Sequence, residues 1–255
     1  MRQQPDTGIH AAEIPPFISA GNSVRIFPGF TTYHLPSAHI DGRRYFAHCL
    51  RQFEERITER QGGGIPFKYK WSDAQAEIIR GLIKHAINDP DGPFDMRKGW
   101  YLWGDVQIGK TTLARALQHF HAVVGAHQKR PTNKYFKISD VRDMYSHFRV
   151  ADRLHLGVYV EGDRAFDDVG VPDELEKVNI YGQERDPMAD ILWDRFKRWE
   201  TAGLLTYATS NLPFEDTPDN DGGIVPGWIS RFDERLQDRL RQMITPIYFP
   251  YNPEL

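Results

Sequence analysis

The sequence lacks the cysteines, the long apolar runs and the signal peptide that identify disulfide-rich, membrane-spanning and secreted proteins. It contains a single cysteine, Cys49, so a disulfide framework within the chain is excluded. No apolar run approaches the roughly 18 residues needed to span a bilayer, and the first residues have no apolar core of signal-peptide length. We therefore predict a cytoplasmic protein with no membrane partner.

The chain also lacks an excess of positive charge. Its formal net charge is −3, so attraction of the whole surface to nucleic acid is excluded, and contact with DNA requires a local basic patch. Hydrophobic residues make up 40% and charged residues 26% of the chain, as in ordinary globular proteins that bury a core. The sequence contains no internal repeat and no low-complexity tract.

Three consecutive glycines at 62–64 separate two regions of different composition. Residues 1–62 are rich in proline, glycine and aromatic residues, and their spacing predicts one helix from about Gly42 to Arg60. Helical and strand patterns alternate through residues 63–255. We predict a small N-terminal region over residues 1–62 and a second domain over residues 63–255.

The second domain is predicted to be a parallel α/β sheet, because its short apolar strands are separated by helices. The predicted helices begin after polar capping residues and carry apolar residues at three- and four-residue spacing. The predicted strands are 99–103, 134–138, 163–166, 204–209 and 246–249, and the predicted helices, with their caps, are about 72–87, 110–124, 139–148, 187–199 and 229–243.

The segment GDVQIGKT, Gly104 to Thr111, matches the pattern G-x-x-x-x-G-K-[ST] between a predicted strand and a predicted helix. The glycines let backbone N–H groups point at phosphate oxygens, and the helix N-terminus attracts the same anion. Lys110 would neutralise the β- and γ-phosphates, and the Thr111 hydroxyl would bind Mg²⁺. We predict ATP and Mg²⁺ as cofactors. The predicted nucleotide-binding residues are Gly104, Asp105, Val106, Gln107, Ile108, Gly109, Lys110, Thr111 and Thr112.

Polar side chains end two other predicted strands. Asp167 would hold the Mg²⁺ shell through water, and Asp168 would polarise the attacking water. Asn211 follows the next strand and would orient that water near the γ-phosphate. Asp105 and Gln107 stand where such loops often have proline and glycine. The negative charge of Asp105 beside a triphosphate does not favour the reaction. A protein that binds the nucleotide but hydrolyses little of it therefore remains an alternative.

The predicted helix 229–243 carries four arginines, Arg231, Arg235, Arg239 and Arg241. A charged helix face is commonly only solvated. An ATPase of this kind, however, needs an arginine from a neighbouring subunit to stabilise the transferring phosphoryl group. We select Arg239 for that role, with a structural salt bridge as the alternative, and the role implies a homo-oligomer.

Four segments together resemble the DnaC/DnaI-type helicase loaders and the related IstB-type transposition ATPases. They are GDVQIGKTTLARAL, FDDVG, TYATSNL and FDERLQDRLRQM, in this order between about residues 65 and 250. The resemblance implies a P-loop NTPase fold of the AAA+ type, an α/β parallel sheet flanked by helices. The chain ends at Leu255, soon after the last predicted strand, so we expect no C-terminal helical lid.

The resemblance also implies roles for single residues. Asp167 and Asp168 match the Walker B pair, Asn211 matches the first sensor, and Arg239 matches the arginine finger that acts in trans. No arginine follows Arg241, so a second-sensor arginine has no counterpart.

The function implied by the resemblance is an ATP-binding and hydrolysing protein that assembles on single-stranded DNA and loads or recruits a replicative helicase. In the loaders the N-terminal region docks on the helicase, which by position would be residues 1–62. An IstB-type transposition helper with a transposase partner, a nucleotide-binding structural subunit with little hydrolysis, and a small-molecule kinase remain alternatives.

Basic and aromatic residues are interleaved between Lys129 and Arg153, a pattern that suits single-stranded DNA. The alternative is that the aromatic residues pack in the core. Tyr181 and Gly182 fall in a region that touches DNA in similar loaders. His34, His39, His48 and Cys49 do not have zinc-finger spacing. The residues of the basic and aromatic stretch are Lys129, Arg130, Lys134, Tyr135, Phe136, Lys137, Arg142, Tyr145, Phe148, Arg149 and Arg153.

Overall fold

A computed structural model of the chain describes residues 70–127, 136–150, 156–172, 178–180, 183–219 and 222–252, with 22–27, 30–34 and positions between 46 and 59. The predicted glycine boundary at 62–64, the basic residues Lys129, Arg130, Lys134 and Arg153, and the pair Tyr181–Gly182 lie outside the described residues. So do His39, His48 and Cys49.

The N-terminal part contains two strands and a helix. Strands β1 (Asn22–Phe27) and β2 (Phe30–His34) pair antiparallel. Every described position between 46 and 59 is helical, as predicted, and we name this helix α1. Phe46 is buried, and its ring lies edge-on to that of Phe120, with 5.9 Å between the ring centroids, so α1 packs on the apolar cluster to which Phe120 belongs.

The remaining elements follow in chain order. The helices are α2 (Asp73–Ala86), α3 (Lys110–His127), α4 (Val141–Val150), α5 (Gly157–Val160), α6 (Pro187–Ala202) and α7 (Glu234–Met243). The strands are β3 (Gly99–Trp103), β4 (Lys137–Asp140), β5 (Arg164–Val169), β6 (Val178–Ile180), β7 (Gln183–Arg185), β8 (Thr206–Ser210), β9 (Thr217–Pro218), β10 (Ile224–Val225) and β11 (Ile244–Tyr248). The short elements α5, β6, β7, β9 and β10 had no counterpart in the sequence prediction.

Five of these strands form a parallel sheet in the order β11-β3-β8-β5-β4. Side chains alternate between its two faces. Trp100 and Leu102 pack with α2 and α3 on one face, whereas Tyr101 packs with α4, α6 and α7 on the other. The predicted fold, an α/β parallel sheet flanked by helices, is confirmed.

Capping residues set the helix boundaries. Ser72, the cap of the predicted helix 72–87, forms a reciprocal capping box with Gln75 at the start of α2. Asp186 caps α6 before Pro187, and α6 ends at Gly203, whose φ of 66° is left-handed. Asp140, at the end of β4, accepts hydrogen bonds from the backbone of the first turn of α4.

One predicted helix, 229–243, is wrong in its extent. A short 3-10 turn spans Ile229–Arg231, Phe232 is extended, and α7 begins only after Asp233. The cause is local, because the Asp233 carboxylate accepts a hydrogen bond from the backbone N–H of Leu236 and so fixes a new helix start. Arg231 therefore does not share a helix with Arg235, Arg239 and Arg241.

The other boundaries differ from prediction by a few residues. Strand β5 continues through both acids to Val169, and β4 runs from Lys137 to Asp140 instead of starting at residue 134. Among the described residues, no helix is long and apolar enough to cross a bilayer.

Candidate nucleotide-binding site

The carboxyl ends of β3, β5 and β8 meet at a cavity of about 580 Å³. Parallel strands present their carboxyl ends at one edge of a sheet, where α/β proteins bind ligands. The loop after β3 and the first turn of α3 line the cavity from Val106 to Thr112, and Asp167, Asp168 and Asn211 line it from the sheet. The structure therefore brings most of the predicted site residues together. Gly104 and Asp105 form the base of the loop, outside the cavity lining.

The loop depends on backbone conformations that ordinary side chains disfavour. Gly104 has a φ of +153°, and a Cβ there would lie 2.3 Å from the carbonyl oxygen of Phe249. Gly109 has a φ of 91°. Gln107 also has a positive φ, 63°, in the left-handed region where a side chain is strained. The two glycines of the motif thus serve a close approach and a left-handed turn.

Lys110 is held inside this loop. Its Nζ donates to the carbonyl oxygen of Gly104 and to the Asn211 Oδ1 atom, each at 2.9 Å, and also to the carbonyl oxygen of Asp105. Burial lowers the pKa of Lys110 to about 8, although the carboxylates of Asp168, Asp105 and Asp167 favour the charged form. The ammonium is therefore a partly desolvated positive charge aimed at the cavity.

Oxygen atoms suited to Mg²⁺ lie beside this charge. Thr111 Oγ1 donates to Asp167 Oδ1 at 2.9 Å, which joins the start of α3 to β5. Mg²⁺ prefers hydroxyl, carboxylate and water oxygens and commonly uses only one or two carboxylates with substrate phosphates. The oxygen atoms of Thr111 and Asp167 suit that ion, and their role as its ligands stays a prediction. Among the described residues, no group of three or more His, Cys, Asp or Glu side chains could hold a metal by itself.

Asp168 projects into the same cavity in a different environment. Its carboxylate lies 3.4 Å from Asn211 Nδ2 and 3.5 Å from the Arg142 guanidinium. Burial raises the pKa of Asp168, and the neighbouring carboxylates of Asp167 and Asp140 raise it further, whereas Arg142 and Lys110 oppose the shift. A carboxylate with a raised pKa next to a free volume can accept a proton from water.

Sequence reasoning did not assign Thr209 or Arg142 to this site. Thr209 is buried on β8, and its hydroxyl donates to Asp167 while it accepts from the backbone N–H of Asp168. Arg142 was assigned to the basic stretch for DNA, yet it lies beside Asp168. The feature of the sequence that could have indicated Thr209 is its position in the TYATSNL segment, near the end of the strand that pairs with the strand carrying both acids.

Arg239 does not line the cavity. It lies on α7 with its guanidinium 4.6 Å from the centre of the Phe196 ring and 4.0 Å from Glu200, and 42% of its side chain is exposed. Both of these partners are on α6 of the same chain. The predicted role in a neighbouring subunit stays a prediction.

The described part of the stretch between Lys129 and Arg153 decides between the two alternatives for three of its aromatic residues. Phe136, Tyr145 and Phe148 are buried in the two apolar clusters that flank the sheet. They cannot stack on bases, so the alternative of core packing holds for them. Lys137 is exposed and Arg142 is largely so.

The parallel sheet, the glycine loop and the lysine, threonine and acids around one cavity together form an α/β fold with a P-loop. No family model matches the chain, and no curated protein matches it. Solved structures are similar to parts of the chain.

The crystal structure of a proposed primosome component from Streptococcus pyogenes serotype M3 is 15% identical, over 69% of this chain and 80% of that one, with a TM-score of 0.45. The crystal structure of the DnaC helicase loader is 15% identical, over 71% and 93% of the two chains, with a TM-score of 0.47. AMPPCP-bound DnaA from Aquifex aeolicus is 12% identical, over 70% and 48%, with a TM-score of 0.40. All three TM-scores lie below 0.5, and the sequence identities do not exceed 15%.

Proposed function

We propose that the protein binds ATP with Mg²⁺ and hydrolyses it in the cavity between the glycine loop and the ends of β5 and β8. The observation that carries this proposal is the contact between Thr111 and Asp167 at 2.9 Å, in a cavity that Lys110 and Asp168 also line. These side chains supply a cation for the phosphates, oxygen ligands for Mg²⁺ and a separate carboxylate for water.

The residues divide the reaction between them. The loop N–H groups and Lys110 bind the β- and γ-phosphates and neutralise their charge. Mg²⁺, held by Thr111 and through water by Asp167, would neutralise charge that develops on the transferring group. Water attacks the γ-phosphorus, Asp168 accepts its proton, and the bond to the β-phosphate oxygen breaks to leave ADP and inorganic phosphate.

Asn211 is suited to orient the attacking water. Its carbonyl oxygen accepts from Lys110 and its amide group faces Asp168, so both ends of the side chain have assigned partners. A water between Asp168 and the γ-phosphate would lie within reach of the same amide. This supports hydrolysis over a purely structural nucleotide, the alternative that Asp105 and Gln107 left open.

The assembly proposed for this ATPase is a homo-oligomer on single-stranded DNA that loads or recruits a replicative helicase. Its support is the resemblance of the four sequence segments. The half-exposed guanidinium of Arg239 is accessible to a neighbouring subunit from α7. A transposase partner instead of a helicase remains the second candidate, because the two families share the same site chemistry.

The first test measures the ATPase rate against protein concentration, with and without single-stranded DNA, for wild type, Arg239→Ala and Arg235→Ala. Arg235 is exposed on the same helix one turn away and serves as the matched control. We expect the specific rate of wild type to rise with concentration and with DNA. Arg239→Ala should lose that rate but still bind ATP, and Arg235→Ala should keep most of it.

Suppose instead that the specific ATPase rate does not change with protein concentration and that Arg239→Ala has the rate of wild type. The active site would then not be shared between subunits, and a kinase that acts as a monomer would be favoured. The partner is tested separately, by co-sedimentation of the ATP-bound protein with the replicative helicase and with the transposase of its own organism. Binding of the transposase alone would replace the helicase-loading role by the transposition role.

A further inference from the structure

Thr209 is the residue that touches both acids of the site. Its side chain is 2% exposed and lies on the face of β8 that points toward the glycine loop. The hydroxyl donates to Asp167 Oδ1 at 2.5 Å and accepts from the backbone N–H of Asp168 at 3.0 Å. The same Asp167 oxygen also accepts from Thr111.

The strand pairing is irregular at this point. Phe166 pairs with Ala208, and the next pair along is Val169 with Ser210. Two residues of β5, Asp167 and Asp168, therefore oppose the single residue Thr209, which is the arrangement of a β-bulge. Asp168, the extra residue, has a φ of 63°.

The bulge changes where the side chains of β5 point. In a regular strand, successive side chains alternate between faces, so Asp167 and Asp168 would lie on opposite sides of the sheet. Phe166 and Val169, three residues apart, instead pack in the same cluster, and both acids line the same cavity. The pair of carboxylates in one site is thus a consequence of the bulge.

The Thr209 hydroxyl stands where the backbone ladder is interrupted. The N–H of Asp168 finds the Thr209 side chain as its acceptor, which offsets the cost of an unpaired amide at the bulge. The same hydroxyl donates a hydrogen bond to Asp167 Oδ1, the carboxylate oxygen that also accepts from Thr111, and so holds the carboxylate in the orientation that faces Thr111. One side chain therefore sets the backbone of one acid and the carboxylate orientation of the other.

We propose that Thr209 is a positioning residue of the ATPase site, which holds Asp167 for Mg²⁺ and Asp168 for water through its single hydroxyl. This inference rests on the proposed function for its effect on hydrolysis. Its effect on the metal does not require hydrolysis, because the orientation of Asp167 acts on the ion directly. Outer-sphere partners of metal ligands commonly contribute 10- to 100-fold in metal affinity or activity.

The test compares Thr209→Val, which keeps the shape and removes the hydroxyl, with Thr209→Ser, which keeps the hydroxyl. Thr206→Val is the matched control, since Thr206 is buried on the same strand but its hydroxyl accepts from Arg195, away from the cavity. Two quantities are measured. One is the affinity for Mn²⁺, by electron paramagnetic resonance with a non-hydrolysable ATP analogue, and the other is kcat and KM for ATP with Mg²⁺.

We expect Thr209→Val to weaken Mn²⁺ binding about tenfold and to lower kcat about 10- to 100-fold with a smaller change in KM. Thr209→Ser should restore both quantities to within about threefold of wild type. Thr206→Val should lower the thermal midpoint of unfolding but leave both quantities unchanged.

Wild-type metal affinity and kcat in Thr209→Val would overturn the inference, and so would a Thr209→Ser variant as impaired as Thr209→Val. If Thr206→Val changes both quantities equally, the effect is one of general stability, and the inference fails. If the wild type hydrolyses no ATP, the proposed function fails, while the Mn²⁺ titration still decides the role of Thr209.

Discussion

The Nζ atom of Lys110 lies 2.9 Å from the Oδ1 atom of Asn211, so the glycine loop and the end of β8 are joined across the cavity by their functional groups. Because Lys110 can only donate, the contact identifies the oxygen end of the Asn211 amide and leaves its NH₂ group toward Asp168. Replacing either residue disturbs the other, but the consequences for binding and for hydrolysis differ.

For Lys110→Ala, we expect ATP affinity to fall about 10- to 100-fold, because a charge-assisted contact to phosphate of about 1.5–3 kcal/mol is lost. A titration with a fluorescent ATP analogue measures the loss. Lys98→Ala is the control, since Lys98 donates to the carbonyl oxygen of Arg241 at the opposite end of the sheet. Equal affinities for wild type and Lys110→Ala would refute the nucleotide site.

For Asn211→Ala, we expect the reverse pattern. The rate of hydrolysis should fall about 10- to 100-fold, because the orientation of the water is lost, while ATP affinity changes less than threefold. Single-turnover ATPase assays and the same nucleotide titration separate the two quantities. A large loss of affinity with an unchanged single-turnover rate would contradict the assignment of Asn211 to the water.

Gln107→Gly tests the strain in the loop. A left-handed conformation costs a non-glycine residue about 1–2 kcal/mol, and the added freedom of glycine in the unfolded chain costs about 0.4–1 kcal/mol. We therefore expect a net gain of about 0.5 kcal/mol in the free energy of unfolding. Val106→Gly, at an exposed neighbour with no positive φ, should instead lose stability. Urea unfolding of both variants measures the difference, and losses of equal size would exclude strain at Gln107.

Arg195 is a buried guanidinium that no part of the proposed mechanism uses. It donates to Thr206 Oγ1 and to the carbonyl oxygens of Tyr159, Val160, Gly162 and Leu205, and burial lowers the pKa of Arg195 to about 10. It therefore ties α6 to the starts of β5 and β8.

Arg195→Met should lower the free energy of unfolding by about 3 kcal/mol or more, because its buried acceptors lose their donors. Chemical denaturation measures this loss. Arg198→Met, at an exposed position on the same helix, should change it by less than about 0.5 kcal/mol. A variant at Arg195 with wild-type stability would mean that water or a rearranged loop replaces the guanidinium.

His85 makes the stability depend on pH. Burial lowers the pKa of His85 below its usual 6.5. The hydrogen bond to the Lys98 carbonyl and the nearby Asp95 carboxylate act in the opposite direction and raise this pKa, but burial has the larger effect. The folded state therefore prefers the neutral ring, and its contribution is present above about pH 6.5 and is lost as the pH falls toward the folded-state pKa.

As the pH falls below about 6.5 toward the folded-state pKa of His85, we expect the free energy of unfolding of wild type to decrease relative to that of His85→Gln. The decrease should reach up to about 1.4 kcal/mol per pH unit. Denaturation curves at a series of pH values measure the difference between the two proteins. A difference that is independent of pH would show that His85 titrates alike in the folded and unfolded states.

The sequence predicted which residues meet at the cavity, because these parts are local or follow from strand direction. The glycine loop is a contiguous segment between a strand and a helix. Asp167 lies near the carboxyl end of β5 and Asn211 directly follows β8, and these neighbouring parallel strands present their carboxyl ends at the same edge of the sheet. The choice of Arg239 could not be tested in the same way, because a residue that acts on a neighbouring subunit has no partner within its own chain.

The amino-acid sequence alone determined the alternation of strands and helices and the residue types that meet at the carboxyl edge of the sheet, since hydrophobic periodicity, capping residues and the glycine loop act over short stretches of chain. Tertiary structure decided the rest. The bulge opposite Thr209 depends on the register between β5 and β8, and the burial of Arg195 depends on carbonyl groups from distant segments. Such features arise from pairing and packing between segments far apart in the chain, and no local pattern encodes them.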